Sequence, residues 1–216
     1  IQERSIGDLA VRKILELKNE IKGIHGTVAS LGETENKYSL ALEVAAGAMS
    51  QSVVVDTDST AHKCIEYLKK NKLGIATFLP INKVKSRIME PQVKDILSQK
   101  GIQGLAIELV KYDSKYKDIF SYVLGSTVIL DNIETARRIG IGRARMVTLD
   151  GDILEPSGAM IGGYRTQRQG LGFREKEVDE KINKLEDETK KLKTLIAHIE
   201  AKKNENEKLI ESLRDK

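Results

Sequence analysis

From Val178 to the end of the chain, Ile182, Leu185, Thr189, Leu192, Ile196, Ile199, Lys203, Asn206, Ile210 and Leu213 alternate in steps of four and three, with no proline or glycine among them. Such spacing gives a helix one narrow apolar seam, and a helix this long without caps reads as a coiled coil rather than as one lying on a small globule. Lys203 and Asn206 fall on the seam, where polar groups lower stability but fix register. Residues 1–22 carry a shorter version of the pattern at Ala10, Ile14, Leu17, Ile21 and Ile24, which Gly23 and Gly26 are expected to end. About three heptads are marginal alone in water, so this helix needs a partner. If both arms leave one globule, the expectation is an antiparallel coiled coil within the chain.

Between the arms the order of elements repeats. Residues 38–49 read as a helix to about Gly47, 52–56 as a buried strand, 59–72 as a helix and 75–80 as a strand. The second half gives a helix over 116–124 up to Gly125, a strand over 127–131, a helix over 133–139 and a strand over 146–149. Each first strand runs into an aspartate, Asp56 or Asp131. The expected fold class is α/β (α+β), a two-lobed globule with an internal repeat. The expected divisions are an N-terminal arm over 1–23, lobe I with a connector over 24–113, and lobe II over 114–164. A basic junction over 165–176 and a C-terminal arm over 177–216 complete the chain.

Residues 145–164, RMVTLDGDILEPSGAMIGGY, close the second lobe. Residues 146–149 and 152–155 read as strands about a two-residue Asp150-Gly151 turn. Gly158, Ala159, Gly162 and Gly163 then leave little side chain, and where Cβ is missing another backbone can come close.

Charge is informative only by segment. The net charge is +4, and residues 165–176 hold four basic residues, Arg165, Arg168, Arg174 and Lys176, against one acidic residue. A basic, glycine-containing junction attracts phosphate, although a solvated linker has the same composition. The lysines around Lys70 and Lys85 are further candidates. With 40% hydrophobic residues and no tryptophan, the composition suits a modest globule with solvated helices. There is no apolar run long enough to span a bilayer and no signal-peptide pattern, which points to the cytoplasm. The chain starts without methionine and stops inside a helical pattern, as a piece excised from a longer protein would.

Enzyme motifs are missing: there is no G-x-x-x-x-G-K-[ST] loop and no dinucleotide-binding glycine fingerprint after a strand. Asp56 and Asp131 sit where strand-end carboxylates hold nucleotide or magnesium in doubly wound sheets. Helix capping is the simpler role, by Asp58 or Ser59 in the first half and Asp131 or Asn132 in the second. His25, His62 and His198 are scattered, and Cys64 has no second thiol, so no metal set and no cofactor are expected.

Paired arms, FLP after the first lobe, and VTLDGDILEPSGAMIGG closing the second together resemble the hinge of an SMC (structural maintenance of chromosomes) protein, bacterial or archaeal in type. The resemblance covers about residues 23–164 and both arms. Related proteins with similar arms join through a C-x-x-C zinc hook, for which Cys64 lacks a companion. The resemblance therefore implies a metal-free homodimer through strand edges, with Gly158, Ala159, Met160, Ile161, Gly162 and Gly163 at the interface. It also implies DNA binding without base specificity near the arm roots, where Arg165, Arg168, Arg174 and Lys176 lie. For the full protein it implies an ATPase head, kleisin-type accessory subunits and a nucleoid-associated role in chromosome condensation and segregation. Two other classes remain open: a coiled-coil connector that does not touch DNA, and a nucleotide-binding domain using Asp56 and Asp131.

Overall fold

Val53, Val54 and Val55 are all fully buried. Successive side chains of a strand point to opposite faces, so both faces of this one must be covered. Val128, Ile129 and Leu130 repeat the situation, and each run is an interior strand of one of two sheets. The computed structural model describes residues 2–87, 91–164 and 172–214 and divides into two units, Ile1–Glu175 and Lys176–Lys216. In chain order the first unit contains α1 (Gln2–Glu16), β1 (Ile24–Thr27), the single turn α2 (Val28–Leu31), β2 (Gly32–Glu33), α3 (Asn36–Ala46) and β3 (Val53–Val55). Then come α4 (Asp58–Asn71), β4 (Phe78–Pro80), α5 (Pro91–Leu97), β5 (Ile102–Leu105), β6 (Lys111–Tyr112) and α6 (Lys117–Leu124). It finishes with β7 (Val128–Leu130), α7 (Ile133–Ile139), β8 (Met146–Thr148), β9 (Ile153–Leu154) and β10 (Met160–Ile161).

One sheet has the order β1-β3-β4 and the other β10-β9-β8-β7-β5, while β2 and β6 form a small ribbon. In the first sheet, β1 is antiparallel to β3, and β4 returns parallel to β3 through α4. In the second, β5 is antiparallel to β7, and β8 returns parallel to β7 through α7. Val54 and Leu79 of the first sheet and Ile129 and Val147 of the second meet Ala41, Leu42 and Ala45 of α3 and Ile119, Phe120 and Leu124 of α6 in a single cluster. Val53 and Val55 turn away from it onto α4 (Ala61, Cys64, Leu68) and α1 (Ala10, Ile14). Val128, Leu130 and Met146 turn onto α5 (Val93, Ile96) and α7 (Ala136, Ile139). The two sheets therefore share α3 and α6 as a middle layer.

Several expectations change on this frame. Ala10 and Ile14 lie on the expected N-terminal seam, yet both are fully buried against α4 and the first sheet; four-three spacing also describes a helix lying on a globule, and here the globule takes those positions. The helix stops at Glu16, a 3-10 turn runs to Asn19, and Gly26 lies inside β1 rather than ending the helix. The stretch expected as connector supplies α5 and β5, and β5 pairs with β7 of the second sheet. Thr57 rather than Asp58 or Ser59 caps α4, its side chain accepting from Thr60 N–H, while Asn132 caps α7 as expected.

Gly172 and Phe173, within the expected basic junction, pack into the first unit. Gly172 N–H donates to Glu43 Oε2 of α3 at 3.2 Å, and Phe173, 1% exposed, joins the middle cluster. From there α8 (Glu175–Arg214) runs as one uninterrupted helix. Its Ile182, Leu185, Leu192, Leu195, Ile196, Ile199 and Ile210 are exposed. Truncating Phe173 to alanine removes a fully buried ring from the shared layer and is expected to lower unfolding free energy by about 3–5 kcal/mol. Urea denaturation of the two forms measures it, and a loss below about 1 kcal/mol would mean the ring is dispensable.

Candidate interface at two open strand edges

The second sheet ends in two successive tight turns built alike. Thr148 N–H donates to Asp152 C=O at 2.9 Å and Gly151 N–H to Thr148 C=O at 2.9 Å; seven residues later Glu155 N–H donates to Ala159 C=O at 2.8 Å and Gly158 N–H to Glu155 C=O at 2.9 Å. Each is a three-residue loop closed by a glycine, Gly151 at φ +87° and Gly158 at φ +88°. The expected two-residue Asp150-Gly151 turn is corrected accordingly, with Leu149 belonging to the loop and not to β8. Gly158 thereby acquires a reason of its own, the left-handed corner that sends β10 back along β9.

Backbone direction on β10 follows from that pairing. Ala159 C=O bonds inward to Glu155, Met160 pairs with Leu154 and Ile161 with Ile153, so the alternation of an antiparallel ladder points Met160 N–H and C=O away from β9. Nothing pairs with that side of β10 among the described residues. The side chains there are apolar and accessible, Met160 at 50%, Ile161 at 54% and Tyr164 at 95%.

The first sheet has a matching open edge at β4. Thr77 C=O accepts from Val53 N–H, and Ile81 N–H donates to Val55 C=O. Phe78 and Pro80, out of phase with these, present their backbone outward. Pro80 can occupy β4 because its missing N–H is not needed by β3. In the second sheet the corresponding position beside β8 is filled by β9. Near β4, Ile75 is 85% exposed.

The glycines differ in what surrounds them. A Cβ on Gly163 (φ +141°) or Gly158 would meet nothing within 4 Å, whereas one on Gly162 would run into Asp152 Oδ1 and lie 3.0 Å from Asp152 Cγ. Nothing in the sequence marks Asp152 beyond its place at the start of the expected strand over 152–155.

Of the basic candidates, Lys70 and Lys85 are not brought together. Arg165 and Arg168 lie outside the described residues; Arg174 is in the 3-10 turn Gly172–Arg174 and Lys176 in the first turn of α8. Lys70 is in the last turn of α4, whereas Lys85 follows β4 at the other end of that helix, where Lys83 Nζ is 3.7 Å from Asp58 Oδ2. The length of α4 alone separates those ends by about 20 Å.

The strand-end aspartates have partners within the chain. Asp56 Oδ1 meets His25 Nε2, and His25 Nδ1 is 3.0 Å from the hydroxyl of Tyr116, just ahead of α6. Asp131 Oδ1 accepts from Gln103 Nε2, and Gln103 Oε1 accepts from the Tyr38 hydroxyl of α3 at 3.2 Å. Each carboxylate is thus held by a strand neighbour that a middle-layer tyrosine fixes in turn, an arrangement that opposes the nucleotide alternative. His62 is 3.7 Å from Glu66 on α4, and His198 is exposed on α8. Among the described residues no group of His, Cys, Asp and Glu is arranged to hold a metal, and no helix is long and apolar enough to cross a membrane.

Two sheets with a shared helical layer, an open edge on each, and a long helix following in sequence define a mixed α/β joining module. Comparison with known proteins gives it a family. Residues 21–140 match the family model for the flexible hinge domain of SMC proteins, and the chain belongs to that family. It is similar to the chromosome partition protein Smc of Synechocystis, 39% identical over 97% of this chain and 17% of the relative. Smc of Methanocaldococcus jannaschii is 41% identical over 84% of this chain and 15% of the relative. The chain thus spans less than a fifth of the length of these relatives. Among solved structures it resembles the Pyrococcus furiosus Smc hinge domain with an extended coiled coil, 35% identical, TM-score 0.64, covering 89% of this chain and 69% of that one. An asymmetric dimer of the Geobacillus stearothermophilus SMC hinge domain is 33% identical, TM-score 0.69, covering 83% of this chain and 78% of that one.

Cys64 behaves as a core residue. It is fully buried, and burial pushes its thiol above the ordinary range. The fold therefore holds the protonated form while the unfolded chain ionises first, so this stabilisation is complete below the unfolded thiol pKa and falls as pH rises past it. Above about pH 8.5, the native chain is expected to lose stability more steeply than Cys64→Ala. Parallel slopes in denaturation midpoints across that range would contradict the assignment.

Proposed function

We propose that this chain is the dimerisation hinge of a chromosome-partitioning SMC protein, joined to a second copy of itself through β10 of one protomer and β4 of the other. The carrying observation is the pair of unequal open edges, β10 with outward-facing Met160 and β4 with outward-facing Phe78. A two-fold axis that brings β10 to the partner's β4 also brings β4 to the partner's β10, so one contact made twice closes on itself. Strand addition at each site satisfies the idle backbone groups, and burial of Met160, Ile161, Tyr164 and Ile75 supplies the apolar contribution. The Geobacillus stearothermophilus SMC hinge domain is itself a dimer, an asymmetric one, which supports the dimer and not its two-fold closure.

The two halves are read as an internal repeat. Gly47 and Gly125 end α3 and α6 at φ 55°, ψ −137° and φ 53°, ψ −138°. Their strand orders correspond, and Tyr38-Gln103-Asp131 mirrors Tyr116-His25-Asp56. A duplicated unit whose second copy gained β9 and β10 leaves β4 open in the first, which is how one chain carries both halves of the joint. The exposed stripe of α8 is read as one strand of an antiparallel coiled coil within the chain.

In the full protein the hinge joins two arms into a V or ring around DNA, driven by a distant ATPase head with kleisin-type subunits, at the nucleoid in the cytoplasm. Arg165, Arg168, Arg174 and Lys176 would hold phosphate backbone near the arm root, with Lys70 and Lys85 as separate secondary contacts. A connector that ignores DNA is the competing reading.

Met160→Pro removes an outward N–H while leaving the β9 ladder intact. It is expected to raise the dimer dissociation constant by roughly a hundredfold, about 2.7 kcal/mol, with native circular dichroism retained. Sedimentation equilibrium decides, and an undiminished dimer would remove β10 from the interface. Neutralising Arg165, Arg168 and Arg174 together is expected to flatten the slope of log affinity for duplex DNA against log salt by about 0.9 for each phosphate no longer neutralised. An unchanged slope in an anisotropy titration would take DNA away from the junction.

A further inference from the structure

Gly162 stands out because its crowding comes from its own chain. Asp152 reaches across the hairpin with both carboxylate oxygens engaged. Oδ1 accepts from Gly163 N–H at 3.3 Å, and Oδ2 accepts from the Thr148 hydroxyl at 3.2 Å, while the same hydroxyl accepts from Asp152 N–H at 2.9 Å. Thr148 is fully buried and forms the last position of β8. The carboxylate is therefore anchored at its root and oriented at its tip, and it lies where a Cβ on Gly162 would be. An ordinary side-chain carboxylate could swing aside to admit an alanine. This one would have to break its bonds to Thr148 and Gly163 to do so.

We propose that Asp152 is the positioning residue of the dimer edge: it fixes the backbone of Gly162 and Gly163 at the end of β10, and residue 162 is glycine to make room for that carboxylate, not for the partner chain. β10 itself is only two residues long, and a strand so short cannot hold its direction by ladder bonds to β9 alone. Past Ile161 those ladder bonds stop, and the bond from Gly163 N–H to Asp152 takes over. The carboxylate thus extends the ordered edge offered to a second copy by two residues without adding a side chain to it. This role rests on the reading of β10 as the dimer edge.

A double-mutant cycle on the whole chain separates the possibilities, with the dimer dissociation constant from sedimentation as the readout and circular dichroism as the check on folding. Asp152→Ala is expected to weaken dimerisation about tenfold or more, about 1.4 kcal/mol. Asp152→Asn, which keeps an oxygen for Gly163 N–H, is expected to recover most of that loss, whereas a general structural defect would not be rescued. Gly162→Ala in the native background is expected to weaken the dimer about tenfold, but to add less than about threefold once Asp152 is alanine. Gly163 amide exchange should be faster in Asp152→Ala and restored in Asp152→Asn. An Asp152→Ala chain that dimerises like the native one, or a Gly162→Ala effect equal in both backgrounds, would overturn the proposal and return Gly162 to the partner while leaving the dimer reading intact. A native chain that remains monomeric at high concentration would overturn the dimer reading, and with it this one.

Discussion

An unpaired strand edge is a liability in a soluble protein, because its idle N–H and C=O groups accept whatever strand arrives. β4 and β10 are two such edges, and their details allow only a narrow set of arrivals. β4 is three residues long and carries Pro80 on its open side, so it offers one outward N–H, that of Phe78. β10 is shorter still and is bounded by the turn at Gly158 and the pinned backbone at Gly163. Neither edge has the length or flatness that promotes open-ended aggregation. Each has the unsatisfied backbone and exposed apolar side chains that a specific short partner would cover.

Two edges serve as one joint only if the body between them is stiff. The middle layer supplies the stiffness, because α3 and α6 pack against both sheets, whose inner faces share one cluster. The crossed tyrosines act in the same direction. Tyr38, entering α3, is tied to Gln103 of β5, and Tyr116, entering α6, to His25 of β1, so each helix is hydrogen-bonded to the sheet of the opposite half. Phe173 extends this layer to the turn Gly172–Arg174.

What could be read from the sequence follows from how much of each element's role is local. VVV and VIL are apolar throughout because both their faces are buried, and α3, α4, α6, α7 and α8 announce themselves by length and periodicity, so all were legible to within a few residues. The glycine-rich end of the second half was legible as poor in side chains, but the short strand β10 within it was not. β1 and β5 were not, because IHGT and IQGL are short and mixed, and only their pairing with β3 and β7 makes them strands. The seam at Ala10 and Ile14 was legible as a stripe but not as to its partner, since spacing records that a helix has an apolar side and not what covers it. Phe173 gave no periodic signal within a basic, glycine-containing stretch. Asp152 was hidden by its neighbours in DGD, because its importance lies in reaching Gly163 across the hairpin, a relation that no local pattern encodes.

The claim at the centre is that Met160 and Phe78 hold backbone donors in reserve for a second copy of the chain. Amide hydrogen exchange at these two positions, followed as the protein is diluted through its dimer dissociation constant, addresses it directly. The account predicts that both amides are protected in concentrated solution and lose protection together on dilution, while the inward-facing amide of Ile81 stays protected throughout. Rapid exchange at Met160 and Phe78 at every concentration, in a chain that is nonetheless dimeric, would contradict it.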